Sequence, residues 1–479
     1  MPELQVDDIQ GIVLFGYGRL RSASYLLLRI IEPSAAKAWL STLDVRNAKF
    51  DPAQTDRSIN IAFTSSGLAR LGLAPELVGA FSAEFVQGMT GSEHRQRILG
   101  DVGESSPDRW RWGGRNNPDP HILLMLYGKD ETVLAALLSE QRAAFGRAGL
   151  DVIATLDTTW LAKGTEHFGF RDGVSRTDIE GFHTDAPPEN SVAAGEFLLG
   201  YLNAYGQYTQ RPLVKPDQDA RGLLAPAPED AGLRDLGMNG SYLVFRQLSQ
   251  DVGAFWKFID EKTRSGGGAS VPDAQIRLAS KMVGRWPSGA PLVKTPHADD
   301  PALCDDNDFL YHRAEDQHGF KCPIGSHIRR ANPRDALDPE PGSERSIEVG
   351  KRHRILRRGR PYGAPVADSM EIADIVARRD QQGERGLHFI CFNTHIGRQF
   401  EFIQHTWLNN PKFDGLGEDD DPMAGDRGGS REKPGGTFTV QAEPVRTRVT
   451  GMPRFSHVRG GGYFFMPGIR AVRFLASLP

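Results

Sequence analysis

The sequence contains very few cysteines. Cys304, Cys322 and Cys391 are the three among 479 residues. A small odd number excludes a disulfide framework, and no Cys-x-x-Cys pair is present for a structural zinc site. We interpret all three as small buried apolar side chains, because free cysteine usually packs in that way.

Long apolar runs are missing as well. No stretch approaches the roughly 18 consecutive apolar residues that would span a bilayer. The first residues have neither the basic and apolar regions of a secretory leader nor a twin-arginine pattern. These absences predict a cytoplasmic protein that spans no membrane, although export by another route stays open.

An excess of basic residues is also absent. The sequence has 57 Lys and Arg against 61 Asp and Glu, a formal net charge of -4, which argues against a general nucleic-acid binder. Apolar residues make up 39% and charged residues 25%, as in ordinary globular proteins. A chain of this length is too long for one compact core, so we expect two domains or a duplicated one.

The apolar patterns alternate between strand and helix, and they do so twice. The first third predicts strands at 25–30, 59–64, 121–127 and 152–158 and helices at 35–43, 67–81 and 133–145. The C-terminal half predicts strands at 241–246, 386–393 and 462–466 and helices at 252–263, 398–408 and 469–478. The repeated order favours two similar α+β units with helices packed on antiparallel sheets.

Two segments contain side chains suited to acid–base and metal chemistry. In 169–173, GFRDG, glycines flank Asp172, and a carboxylate held beside an apolar cavity can transfer protons. In 322–334, CPIGSHIRRANPR, His327 stands in a basic run, and imidazole is a common iron ligand. Taken alone, the first segment is more typical of an Asp-Gly turn, and the second of an ordinary surface or core histidine in a solvated basic run.

A third segment, 354–363, has the sequence RILRRGRPYG. An arginine here could stabilise negative charge that develops during a reaction. By itself the segment also reads as a basic strand that ends in a turn.

Together and in this order, the three segments resemble the dye-decolourising peroxidase family. Four further segments support the resemblance, which extends from about residue 8 to the C-terminus: 8–11 (DIQG), 195–201 (GEFLLGY), 284–289 (GRWPSG) and 399–404 (QFEFIQ). It implies two ferredoxin-like units of the dimeric α/β-barrel type. We assign residues 1–215, with the GFRDG motif, to the first unit and residues 236–479 to the second, which binds one haem b.

The resemblance also implies roles for the motif residues. His327 is the expected proximal ligand of the haem iron, Asp172 the distal acid–base residue and Arg357 the distal arginine. Arg357 is preferred to Arg354 and Arg358 because it stands four residues before the Pro-Tyr-Gly turn. Without a Cys-x-x-Cys-His sequence, the haem is expected to be bound non-covalently.

Further side chains are expected to surround the haem. Leu387 and Phe389 alternate on one strand and form an apolar lid over the distal side, unless they are simply sheet core. Arg329, with its basic neighbours, is expected to meet the haem propionates. Asp421 is the candidate partner of His327, although Asp414, Asp419, Asp420 and Asp426 are close in sequence.

The expected reaction is the reduction of hydrogen peroxide through a ferryl iron and a porphyrin radical, with dyes or phenolic compounds as electron donors. Tyr362 and Trp407 match surface electron-transfer positions of the family, although either could be ordinary packing. The acidic stretch 418–421 could bind Mn²⁺, which prefers oxygen ligands, or could simply be solvated.

The alternative function is a haem carrier or an iron-release protein without peroxidase turnover. Such a protein needs His327 but neither Asp172 nor Arg357. Because both are present, the sequence favours the enzyme.

Overall fold

The computed structural model of the chain describes residues 3–50, 54–182, 187–264, 268–426 and 435–479. In these ranges the strands are β1 (Ser22–Ile30), β2 (Arg57–Phe63), β3 (Ile122–Gly128), β4 (Leu150–Asp157), β5 (Asp178–Ile179), β6 (Ser191–Val192), β7 (Leu213–Val214), β8 (Ala225–Ala227), β9 (Asp230–Asp235), β10 (Ser241–Gln250), β11 (Leu356–Arg357), β12 (Arg360–Tyr362), β13 (Gly386–Asn393), β14 (Gly436–Val440), β15 (Thr447–Met452) and β16 (Ser456–Met466). The α-helices are α1 (Gly11–Leu14), α2 (Pro33–Thr42), α3 (Ser65–Arg70), α4 (Pro75–Val78), α5 (Ala83–Gln87), α6 (Glu93–Leu99), α7 (Glu131–Phe145), α8 (Val252–Thr263), α9 (Pro272–Val283), α10 (His327–Ala331), α11 (Glu344–Lys351), α12 (Ile372–Ala377) and α13 (Ile469–Ala476).

The largest sheet has nine strands in the order β11-β13-β10-β16-β2-β3-β1-β4, with β12 also paired to β13. It consists of two antiparallel groups with the same topology. In each group the third strand lies between the second and the first, and the fourth strand lies beside the first. The groups meet where Phe465 of β16 pairs with Phe63 of β2. This confirms an α+β fold of two ferredoxin-like units, while the boundaries at 1–215 and 236–479 stay a prediction.

The sheet is apolar on both faces. On one face, Leu26 and Leu28 of β1 belong to the same buried cluster as Trp39 of α2 and Leu137 of α7. On the other face, the ring of Tyr25 lies 5.8 Å from the rings of Phe245 and His388, which belong to the second group. The sheet therefore curves until the inner faces of its two groups share one core.

Two predicted helices differ from the structure. The helix expected over 67–81 is divided into α3 and α4, because Gly72 adopts a left-handed conformation (φ 97°) and Pro75 begins the next helix. The helix expected over 398–408 is instead two π-helical segments, Gly397–Glu401 and Ile403–Leu408. Of the three cysteines, Cys322 and Cys391 are buried as expected, but Cys304 is half-exposed.

A long excursion distinguishes the second group from the first. Between α8 and β11 the chain runs through α9, α10 and α11 before it returns to the sheet. This excursion places α10, which begins at His327, against the cavity described below. In the parts of the chain that the structure describes, no helix is long and apolar enough to cross a membrane.

Candidate active site

A cavity of about 270 Å³ lies between the second sheet group and the excursion. Five predicted site residues line it: His327 from α10, Asp172 from the loop after β4, Arg357 from β11, and Leu387 and Phe389 from β13. Residues from four separate parts of the sequence thus meet in one space. Their roles stay predictions. Those roles require the five residues to lie in one cavity, and they do.

His327 and Asp421 form a close pair at one side of the cavity. The Nδ1 atom of His327 lies 3.1 Å from both carboxylate oxygens of Asp421. The same carboxylate accepts hydrogen bonds from the backbone N–H groups of Met423 (2.9 Å) and Ala424 (2.7 Å). Burial acts to raise the pKa of Asp421, but His327 and the other donors hold it below its usual value. Nδ1 is therefore occupied, which leaves Nε2 as the ring nitrogen able to bind a metal.

Arg330 ties α10 to the segment that carries Asp421. Its guanidinium is buried and donates hydrogen bonds to the carbonyl oxygens of Trp407 (2.8 Å), Asn410 (2.9 Å) and Asp419 (2.7 Å). Satisfying three carbonyl groups with one rigid guanidinium fixes both segments relative to each other. Arg330 thereby helps to position Asp421 against His327.

Asp172 and Arg357 form an ion pair that lines the same cavity. The Nη1 atom of Arg357 lies 3.1 Å from Oδ1 of Asp172, which also accepts a 2.7 Å hydrogen bond from the backbone N–H of Gly173. Burial favours the neutral carboxyl group, yet Arg357 and Gly173 keep the pKa of Asp172 below its usual value. Asp172 is therefore held as a carboxylate that can accept a proton.

Gly169 sets the path of the loop that leads to Asp172. Its φ is 99°, and a Cβ there would approach the side chains of Ile372 (2.5 Å) and Ile375 (2.9 Å). Both its backbone and its lack of a side chain are therefore required. Gly169, the first glycine of the GFRDG motif, is therefore explained by close packing against α12 as well as by the turn.

Arg329 does not reach the cavity, contrary to the prediction. Its side chain is fully buried, donates to Asp316 and to the carbonyl oxygen of Cys322 (2.9 Å), and lies 4.4 Å from the ring of Tyr311. Arg334, in the same basic run, donates to the carbonyl oxygens of Asn307 and Phe309. The run is internal structure, because buried guanidinium groups need several acceptors each.

Arg285 and Arg354 line the cavity instead. Arg285 donates to neutral acceptors, the carbonyl oxygens of Gly289 (2.8 Å) and Asp306 (2.7 Å). The guanidinium of Arg354 has no hydrogen-bond partner among the described residues, and burial together with the nearby Arg334 lowers its pKa to about 9. We call Arg285, Arg334 and Arg354 the first arginine cluster. The sequence did not identify Arg285 and Arg354 as cavity residues. The sequence pattern around an arginine does not show whether its side chain faces a cavity or binds carbonyl groups.

Glu166 is a second carboxyl group in the cavity that the sequence did not indicate. It accepts hydrogen bonds from the backbone N–H groups of Phe168 (2.9 Å) and Phe170 (3.0 Å) and from Nε2 of Gln250 (2.7 Å). Burial, opposed by these donors and reinforced by Asp172, raises the pKa of Glu166 to about 7. The carboxyl group of Glu166 thus binds the backbone on both sides of Gly169. Gly169 itself stands three residues before Asp172.

Tyr362 and Trp407 are not at the surface, which corrects the prediction of surface sites. Their exposed fractions are 6% and 4%. Tyr362 stacks on His388, with ring centroids 4.5 Å apart, and Trp407 packs edge-on against Phe402 at 5.4 Å. Neither ring can contact a bulky dye directly.

The acidic stretch 418–421 is occupied by protein donors. Asp419 accepts hydrogen bonds from Thr437 and Thr439, Asp421 accepts those described above, and Glu418 pairs with Arg448. Among the described residues, no group of three or more His, Cys, Asp or Glu could hold a metal ion.

The chain resembles known proteins over nearly its whole length. No family model matches it. A dye-decolorizing peroxidase of Exidia glandulosa is 29% identical over 491 residues, which cover 98% of this chain and 86% of that protein. A multifunctional dye peroxidase of Amycolatopsis is 27% identical over 497 residues, covering 98% and 96%. The solved structure of a decolorizing peroxidase from Auricularia auricula-judae has a TM-score of 0.78 and 26% identity and covers 99% of this chain and 100% of that one.

The fold, the cavity and these relatives agree on the class of protein. The chain is a peroxidase. Within that class, the relatives and solved structures that it is similar to are dye-decolourising peroxidases, the family that the three sequence motifs resemble.

Proposed function

We propose that the chain reduces hydrogen peroxide with electrons from dyes, phenolic compounds or other one-electron donors, and that one non-covalently bound haem b occupies the cavity. The observation that carries this proposal is the ion pair of Asp172 and Arg357, which lines the same cavity as His327. Relatives named for dye decolourisation support the donor class.

The lining of the cavity fits a haem. His327 has its Nδ1 engaged by Asp421, which leaves Nε2 as the ring nitrogen that would bind the haem iron. Arg285 and Arg354 are suited to the two propionate groups, since Arg354 has no partner among the described residues. No cysteine of the described chain lines the cavity, in keeping with non-covalent binding. When bound, haem supplies the redox chemistry that these side chains lack.

Asp172 and Arg357 are the residues that act on peroxide in this proposal. The ionised carboxylate of Asp172 accepts a proton from one peroxide oxygen and returns it to the other, which leaves as water. The guanidinium of Arg357 stabilises the negative charge that develops on the departing oxygen. The low pKa of Asp172 keeps its carboxyl group ionised, so that it has no proton before it meets the peroxide.

Leu387 and Phe389 restrict what can approach. Both are half-buried on β13 and line the cavity with apolar atoms. They admit a molecule as small as hydrogen peroxide and exclude bulky dyes, so electrons from such dyes must cross protein. We propose that the buried rings of Tyr362 and Trp407 pass these electrons through the protein. Mn²⁺ as an electron donor and the cytoplasmic location stay predictions from the sequence.

The carrier alternative differs from this proposal in its distal residues. A haem carrier requires His327 but has no use for a carboxylate and a guanidinium held 3.1 Å apart in the cavity. The pair therefore favours turnover.

The test compares haem-loaded wild type with Asp172→Asn. We expect both to show the same Soret band, and the rate of its change after one equivalent of hydrogen peroxide to fall about 10²–10⁴-fold in the variant. Asp305→Asn is the matched control, because Asp305 also pairs with an arginine but is exposed. A wild-type Soret band that does not respond to peroxide would establish the carrier. If Arg357→Leu abolishes turnover while Asp172→Asn hardly changes it, the assignment of roles is wrong.

A further inference from the structure

The cavity has a second arginine cluster at another part of its wall. Arg246 projects from β10, Arg454 lies just before β16, and both line the cavity. The fully buried carboxylate of Asp101 pairs with Arg246. Two guanidinium groups thus lie near Asp101, and the carboxylate of Asp426 also acts on Arg454. We call Arg246, Arg454 and Asp101 the second arginine cluster.

Arg246 has an unused donor. Its side chain is only 4% exposed, yet its Nη1 atom has no hydrogen-bond partner among the described residues. Arg454 donates to the carbonyl oxygens of Ser456 (3.0 Å) and Gly100 (3.2 Å) through Nε and Nη1. Buried donors of native proteins are nearly always paired, so an unpaired one that faces a cavity indicates a ligand.

Haem accounts for one cluster and not for both. Its two propionates leave from the same edge of the macrocycle, so they reach one part of the wall. The first arginine cluster, Arg285, Arg334 and Arg354, has no ion pair with a carboxylate among the described residues, whereas Arg246 already has Asp101. The two haem propionates would therefore pair with the first cluster, which has no carboxylate partner in the described part of the chain and lies beside α10. The second cluster would then stay available to another anion.

The wall beside the second cluster is apolar. Leu248, two residues after Arg246 on β10, pairs with Val458 of β16, and both line the cavity. Leu99 also lines the cavity, and the guanidinium of Arg246 lies 6.0 Å from the ring of Phe400. A ligand that fits here has a carboxylate at one end and a small apolar or aromatic body.

We propose that the second arginine cluster binds small aromatic carboxylates of the benzoate class, so that phenolic acids are held in the cavity as preferred donors. The choice of donor rests on the proposed peroxidase activity, and the carboxylate site rests only on the haem occupying the first cluster. Each phenol gives up one electron and one proton. Two such donors convert one hydrogen peroxide to two water molecules.

The first experiment measures benzoate binding to the haem-loaded protein by isothermal titration calorimetry. Wild type should bind benzoate, and Arg454→Gln should weaken binding at least about 10-fold, because a charge-assisted hydrogen bond is lost. Arg454→Lys should recover part of the affinity. Arg459→Gln, on β16 but outside the lining of the cavity, is the matched control. Arg246 is tested with its partner, as Asp101→Asn/Arg246→Gln, so that no buried carboxylate is left unpaired.

The second experiment compares 2,6-dimethoxyphenol with the same phenol bearing a carboxylate, 4-hydroxy-3,5-dimethoxybenzoate. The ratio of kcat/KM for the carboxylate donor over the neutral donor should fall about 10-fold in Arg454→Gln. Benzoate binding that is absent, or unchanged in Arg454→Gln, overturns the proposal. So does loss of the Soret band in Arg454→Gln, because the cluster would then hold the haem. If benzoate binds but neither phenol is oxidised, the binding site stands and the proposed function fails.

Discussion

The two ferredoxin-like units have the same strand order, yet one is filled and the other encloses a cavity. In the first unit, alternate residues of β1 (Leu26, Leu28 and Ile30) are buried against α2 and α7. In the second unit, the alternate residues Arg246 and Leu248 of β10 line the cavity. The sheet face is equivalent in both, so the difference arises from what covers it.

The cover of each unit follows from its connections. In the first unit the corresponding connection, from β1 to β2, passes through α2, whose apolar stripe closes on the sheet. In the second unit α8 is followed by the excursion through α9, α10 and α11, which approaches the sheet as separate short segments. Short segments leave space between them, and polar groups such as His327 can then face that space. One topology thus yields a core or a site, depending on the length of one connection.

The strongest test of this comparison is His327→Ala. We expect the variant to lose haem while it keeps its secondary structure, because the ligand lies on the excursion and not on the sheet. The measurement is the Soret absorbance per protein after gel filtration, with circular dichroism as the check of the fold. His318→Ala is the control, since His318 is exposed on the same excursion. Retention of a native haem spectrum would mean that another residue binds the iron.

Shortening a leucine in each unit compares the filled and the open side of the sheet. Leu26→Ala should lower the free energy of unfolding by about 2–5 kcal/mol, because it creates a cavity in a closed core. Leu248→Ala should cost less than about 2 kcal/mol in the haem-free protein, because its side chain already borders open space. Urea unfolding measures both. Equal losses would contradict the idea that the two faces are packed differently.

Asp421→Asn tests the partner of His327 within the excursion. An amide cannot accept the Nδ1 proton with the strength of a carboxylate, so we expect haem affinity to fall about 10–100-fold. Competition for haem with an excess of apomyoglobin gives the affinity. Asp420→Asn is the control, because the carboxylate of this neighbouring aspartate accepts a hydrogen bond from the backbone N–H of Thr437. An equal loss in both variants would show that the segment, and not this carboxylate, matters.

The smallest expected effect concerns the pH dependence of stability through Glu166. Its pKa is about 7 in the folded protein against an ordinary value of 4.5, so the folded state binds this proton more tightly than the unfolded state. The resulting stabilisation is complete below about pH 4.5 and is lost as the pH rises through 7. Between pH 5 and 8, wild type should therefore lose roughly 2–3 kcal/mol more than Glu166→Gln. Parallel pH profiles would show that Glu166 stays ionised throughout.

The sequence predicted the regular elements better than their surroundings. Val252–Thr263 and Gly386–Asn393 begin and end where the apolar pattern placed them, because periodicity along one element is a local property. The helix over 67–81 failed at Gly72, and the helix over 398–408 became π-helical. Both depend on packing against other segments, which a local pattern does not contain.

For the site, the motif order identified the residues that meet in the cavity, and Asp421 was selected correctly as the neighbour of His327 among five aspartates. The same reasoning assigned Arg329 to the haem and placed Tyr362 and Trp407 at the surface. The identity of a basic or aromatic residue does not show whether its side chain faces a cavity, a carbonyl group or solvent. Its direction is set by the segments around it.

The sequence by itself determined the resemblance to a peroxidase family, the α+β class and the set of side chains capable of the chemistry, since these depend on composition, order and local periodicity. Tertiary structure alone decided which arginines have free donors, which aromatic rings are buried, and that a single sheet has one filled and one open side. Those properties are sums over contacts between residues far apart in the chain, and no local pattern encodes such a sum.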